Sequence, residues 1–149
     1  PPTPTAVLAA LAGHGSTTLA IDQTRTAALR EVALVAPHLE ELARNEAAAV
    51  VRSALERIPG IGVWTAAETT FAALGDPDAV SFGDYHLKNT VAFALAGEPR
   101  GTDERMAELL EPFRPHRARA VRLIELSGVR APRYGPRLEV PTHVPAPRR

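Results

Sequence analysis

The chain has 149 residues, 45% hydrophobic and 23% charged, with seventeen basic and seventeen acidic side chains and no cysteine. That length is one domain's worth of chain with room for a core. The absence of thiols excludes disulfides, thiolate metal sites and iron–sulfur clusters, and zero net charge sets the chain apart from a simple basic nucleic-acid binder.

No apolar run reaches the roughly eighteen residues of a membrane span and no signal peptide is visible, so no membrane partner is expected. The five histidines (His14, His38, His86, His116, His143) are scattered without ligand spacing, which argues against a side-chain metal site. Charge is unevenly placed: residues 100–149 hold eleven Arg against six acids, while residues 1–99 hold six bases against eleven acids. A basic C-terminal third suits phosphates, although a solvated arginine-rich face accounts for it equally well. The chain opens at Pro1 without an initiator Met, as a piece of a longer protein would.

Taken in order, Pro1 to Pro4 is extended and Thr5 to Ala12 makes a short helix ended by Gly13-His14-Gly15. Asp22 is placed to cap a helix over about Gln23 to Ala36, with Leu29, Val32, Ala33 and Ala36 in a helical stripe. Pro37 breaks or kinks it, and Leu39 and Leu42 carry the apolar face on to Asn45. Asn45 then caps a helix over Glu46 to Arg57, buried through Val50, Val51, Ala54 and Leu55. Ile58-Pro59-Gly60-Ile61-Gly62 is a tight turn, followed by a helix from Val63 to Leu74 with Trp64, Ala67, Phe71 and Leu74 at helical spacing. Gly75-Asp76-Pro77-Asp78 is a loop. A helix runs from Asp84 to Ala96, ended by Gly97. Thr102 starts another, which stops at Pro112. Pro115 sits near the first turn of a last helix that runs to Ser127 and ends at Gly128. Val129 to Arg149, with five prolines, is expected to be an extended or partly disordered Pro/Arg-rich tail. No strand alternation is sustained, and the expected fold class is all-α.

Two features carry chemistry. The turn at Ile58 to Gly62 leaves the first backbone N–H groups of the next helix free, with glycines that let a ligand approach closely; such a place suits a phosphate. An ordinary loop between packed helices is the plain alternative. Asp84 reads most simply as an acidic helix cap. At the mouth of a groove it can also serve chemistry, because a helix N-terminus favours its ionised form while burial opposes it.

The ordered run Leu55-x-x-Ile58-Pro59-Gly60-Ile61-Gly62-x-Trp64-Thr65-Ala66, followed by Gly83-Asp84-Tyr85, resembles the helix-hairpin-helix, Gly/Pro-rich loop, Asp signature of base-excision DNA glycosylases. The branch it is most similar to is the bacterial 3-methyladenine (alkylbase) DNA glycosylase II type. Phe113-x-Pro115-x-Arg117-x-x-Ala120 is similar to that branch's entry to the last core helix, which usually has Trp where this chain has Phe113. The resemblance covers about Asp22 to Gly128. It implies a helical bundle of that type, residues 22–128, preceded by a partial N-terminal segment, residues 1–21, and followed by the tail, residues 129–149.

The resemblance also implies an activity. It points to a monofunctional N-glycosylase that flips an alkylated purine out of duplex DNA and hydrolyses its glycosidic bond, with Asp84 as the catalytic carboxylate. DNA contacts fall on Pro59, Gly60, Gly62, Trp64, Thr65 and Arg117, and base-pocket positions on Trp64, Glu68 and Tyr85. Backbone carbonyls of Glu56, Ile58 and Ile61 match those that hold a monovalent sodium or potassium ion in relatives; no other cofactor is implied. Trp64 occupies the position where bifunctional relatives carry an imine-forming lysine, and an indole cannot form that imine. Lys88, the chain's one lysine, lies one turn after Asp84 and is read as its i,i+4 ion-pair partner or as a phosphate contact. Arg114, Arg119 and Arg122 face DNA or solvent. A bacterial, cytoplasmic monomer is implied. Because the family's enzymes have more chain ahead of Asp22, including the wedge that fills the gap left by the flipped base, a non-catalytic DNA-binding fragment is the alternative.

Overall fold

The computed structural model describes residues 2–13 and 21–132. It is all-helical, with no strand among the described residues: α1 (Pro4–Gly13), α2 (Gln23–Asn45), α3 (Ala48–Glu56), α4 (Val63–Leu74), α5 (Leu87–Ala96), α6 (Asp103–Leu110) and α7 (Arg117–Leu126), with a 3₁₀ turn at Glu111–Phe113 between the last two. The expected turn at His14-Gly15 and all of the tail beyond Pro132 lie outside the described residues.

The helices gather around two apolar clusters. Val51, Leu55, Ile58 and Ala66 form the first, with Val32, Leu39, Leu42, Ala43, Ile61 and Leu74 packed on it from α2, α3 and α4. Val80, Leu87, Val91, Met106, Leu110 and Val121 form the second, drawn from the segment after α4 and from α5, α6 and α7. Each helix from α2 to α7 gives one apolar stripe to one cluster, the arrangement that an amphipathic period of 3.6 residues allows.

Local chemistry explains most boundaries. The Asp22 carboxylate accepts from the Arg25 N–H at 2.8 Å and opens α2; Thr102 does the same for α6 through the Arg105 N–H at 3.2 Å. Gly75 and Gly97 close α4 and α5 in the left-handed conformation, where a side chain would crowd the carbonyl.

Three expectations are corrected. Pro37 does not end a helix: α2 continues through it to Asn45. The ring removes one helical hydrogen bond, but apolar residues on both sides of it, Val32 before and Leu39 and Leu42 after, belong to one cluster and hold the helix together. Asn45 does not cap α3, because the Glu46 N–H still bonds back to the Leu42 carbonyl at 2.8 Å. The break comes instead at Glu46 and Ala47, both extended, and Ala47 caps without a side chain. The helix expected from Asp84 begins at Leu87, for reasons that belong to the site.

Gly60 is a point of close packing. It sits at φ +87, and a Cβ built there would lie 2.9 Å from the Cβ of Ala28 on α2. Gly60→Ala therefore combines left-handed strain with a clash against the buried Ala28 and is expected to cost about 2–3 kcal/mol. Urea unfolding measures this as a lower midpoint at unchanged slope; an unchanged midpoint contradicts the packing.

Candidate functional site

The turn between α3 and α4 is built by its own residues. Pro59 fixes the second position, Gly60 takes the positive φ of the third, and the Ile61 N–H donates to the Ile58 carbonyl at 3.0 Å, which is the geometry of a type II turn. Ile58 is buried and anchors the turn in the first cluster. Gly62 then caps α4 with extended backbone and no side-chain hydrogen bond, and nothing lies within 4 Å of where its Cβ would stand. The first N–H groups of α4 have no intrahelical acceptor, and Val63 and Trp64, which open the helix, are exposed. Pro59, Gly60, Gly62 and Trp64 are exposed and Thr65 is half-buried.

Asp84 lies in the segment that crosses from the first cluster to the second. Its Oδ1 accepts the N–H of His86 at 2.7 Å and of Leu87 at 2.8 Å, an Asx turn that also caps α5. These two bonds hold Tyr85 and His86 outside the helix, so α5 starts three residues later than expected. The Trp64 indole lies near enough to favour the charged form of this carboxylate. Burial raises the carboxyl pKa as the largest single influence. The bonds from Leu87 and His86, with the nearby Trp64 indole and the charge of His86, together outweigh it and hold the group below the ordinary carboxylate range. Asp84 is ionised at neutral pH.

A cavity of about 310 Å³ adjoins it, walled by Glu68 and Phe71 of α4, Ala79, Ser81, Leu87, and Val121 and Arg122 of α7. Its polar side is one network. Buried Ser81 donates its hydroxyl to Glu68. The Arg122 guanidinium approaches the other Glu68 oxygen at 3.6 Å, bonds Glu125 at 2.8 Å and lies 4.6 Å from the centre of the Phe71 ring.

The structure therefore brings Asp84 and Glu68 to one cavity and Trp64 to the Asp84 carboxylate. Trp64 is 46% exposed, so core packing is not its role. Other expectations are redirected. Tyr85 does not line the Asp84 cavity. It is 77% exposed, with its ring edge-on to His86, and it borders an adjoining hollow of about 580 Å³ with Lys88 and Arg130. Lys88 pairs with Asp103 at 3.3 Å, not with Asp84.

Arg117, expected to contact DNA, is committed to the fold. Its guanidinium grips Asp78 through Nε at 2.8 Å and Nη2 at 2.6 Å, and its backbone N–H donates to the same carboxylate at 3.0 Å. Both side chains are largely buried, at 11% and 15% exposure. The Ala118 and Arg119 N–H groups donate to the Pro77 carbonyl, so the N-terminus of α7 is already filled. Arg114 adds to the same centre, pairing with Glu111 at 2.9 Å and Asp78 at 3.5 Å.

The Asp76-Pro77-Asp78 loop is thus a clasp that sequence reasoning treated as a turn. Asp76, 3% exposed, pairs with Arg52 of α3 and accepts the Asp78 N–H at 3.0 Å, while Asp78 holds α7. One three-residue segment joins the two helical groups through Arg52 and Arg117. Two acids flanking a proline were visible in the sequence; their partners, 24 and 39 residues away along the chain, were not.

No family model, curated protein or solved structure matches the chain. Among the described residues no helix is long and apolar enough to cross a membrane, and no group of three or more His, Asp or Glu is placed to hold a metal.

Proposed function

We propose that the chain is a monofunctional DNA N-glycosylase domain of base-excision repair that removes alkylated purines. The observation that carries this reading is an ionised Asp84, held by the His86 and Leu87 N–H groups, with Trp64 from the first turn of α4 near it, at the edge of a cavity of about 310 Å³. The turn would hold the DNA backbone without reading its sequence, and the carboxylate would face the sugar of the extruded nucleotide.

An alkylated purine carries positive charge and leaves readily. As the glycosidic bond breaks, its electron pair moves to the purine and neutralises it, and positive charge develops at the sugar C1′. A carboxylate about 4 Å away, at an effective dielectric of about 20, stabilises that charge by about 4 kcal/mol. Water then adds to C1′ and gives up a proton, leaving an abasic sugar. Trp64, an indole, cannot form an imine with that sugar.

A monovalent cation at the carbonyls of Glu56, Ile58 and Ile61 fits what these residues offer. Glu56 ends α3, where carbonyls lack intrahelical donors, and Ile58 keeps a lone pair beside the one used by Ile61. A bound ion there would add positive charge facing a DNA phosphate.

The direct test is release of 3-methyladenine or 7-methylguanine from methylated duplex DNA. No release by the chain, or by a version extended at its N-terminus, sinks the enzymatic reading and leaves a DNA-binding module. The turn is tested separately with Gly62→Asp. A carboxylate there caps α4 well, so thermal stability is retained or gained, yet it repels the phosphate. Duplex affinity is expected to fall at least about tenfold, roughly one lost charge-assisted contact; unchanged affinity places the DNA elsewhere.

A further inference from the structure

We propose that the space over Phe71 is a binding subsite for a planar organic cation and that Arg122 fills it as a resident plug. The guanidinium is itself a flat, delocalised cation. It lies 4.6 Å from the Phe71 ring centre, within the range of attraction by the negative face of an aromatic ring. One edge meets Glu125 at 2.8 Å and another faces Glu68 at 3.6 Å. Glu68 is in turn oriented by the buried Ser81 hydroxyl, which holds its carboxylate toward the cavity. An aromatic floor with carboxylates at two edges and a cavity beside it is a recognition site for flat cations in general. The chain's own side chain satisfies it when nothing else does.

Two consequences follow. An incoming flat cation must displace Arg122 from the ring, and the Arg122 side chain, 43% exposed, has solvent to swing into. A neutral ring of the same shape gains nothing from Glu68 and must still displace a paired cation, so Arg122 raises the threshold against it. Arg122 and Glu68 thereby act as specificity-determining residues on the wall of the cavity. The inference rests on the base-excision reading for the identity of the incoming ring, but its chemistry stands on Phe71, Glu68, Glu125 and Arg122.

Binding alone tests it, without excision. Titrate wild type and Arg122→Ala with 1-methyladenosine, which is cationic at neutral pH, and with adenosine, its neutral counterpart. The expected result is a gain of about tenfold in affinity for 1-methyladenosine in Arg122→Ala, lost again when Phe71→Leu is added, and no gain for adenosine. Equal affinity in wild type and variant, or the same gain for adenosine, overturns the proposal. Should Arg122→Ala lose its helical circular dichroism, Arg122→Gln decides: a neutral amide neither pairs with the carboxylates nor competes as a cation for the ring, so the gain must appear there too, and its absence overturns the plug. Cation binding without base release from DNA defeats the glycosylase reading and keeps the subsite; base release with no gain in the variant does the reverse.

Discussion

Asp84→Asn is expected to lower base release about a thousandfold while leaving duplex binding and thermal stability nearly unchanged. The separation follows from what each atom does. The amide oxygen of asparagine can still accept the His86 and Leu87 N–H bonds that Asp84 Oδ1 accepts at 2.7 and 2.8 Å, and asparagine caps helices about as well as aspartate. Only the negative charge disappears. Loss of about 4 kcal/mol of transition-state stabilisation corresponds to roughly three orders of magnitude in rate. Single-turnover release from methylated DNA, compared with a duplex-binding titration, separates the two effects. Equal release by wild type and variant would falsify the catalytic role. Because the Asp84 pKa lies below the ordinary carboxylate range, acid loss of activity through this group is expected only below about pH 4.

The second large effect is structural. Asp78→Asn is expected to destabilise the fold by about 3 kcal/mol at neutral pH, since it leaves the largely buried Arg117 guanidinium without its counter-charge. The effect depends on pH in a defined direction. The side-chain bond from Arg117 is the largest influence on Asp78. With the Arg117 N–H and the charges of Arg117 and Arg114, it outweighs burial and lowers the carboxyl pKa. A carboxyl whose pKa is lower in the folded than in the unfolded chain stabilises the fold fully above its unfolded value, about 3.9, and loses that contribution as pH falls through the folded value. Urea midpoints of wild type and Asp78→Asn should therefore differ most at neutral pH and converge in strong acid. A gap that stayed constant down to strong acid would show that lost packing, not charge, explains the variant.

The two predictions concern neighbouring parts of one device. The clasp at Asp76 and Asp78 ties α3 to α7, and α7 carries the Arg122 that faces Glu68 and Phe71 across the cavity. Weakening the clasp therefore loosens the tie between the two helical groups, whereas Asp84→Asn leaves it in place.

The all-α class, the limits of α4, the turn at Ile58 to Gly62 and the caps at Asp22 and Thr102 were legible in the amino-acid order. Each is decided within a few residues, by a helical apolar stripe, a Pro-Gly pair or a side chain reaching its own backbone. Asp84 was legible as a cap for the same reason. The partner of Lys88, the commitment of Arg117 to Asp78, the outward position of Tyr85 and the cation over Phe71 were decided by the tertiary structure. These depend on which oppositely charged or aromatic groups the packed helices bring within a few ångströms across 15 to 51 residues of chain. The arginines at and before α7 show why sequence stops short: Arg114, Arg117 and Arg122 look alike along the chain, and only burial and the nearest carboxylate assign two of them to the fold and one to the cavity.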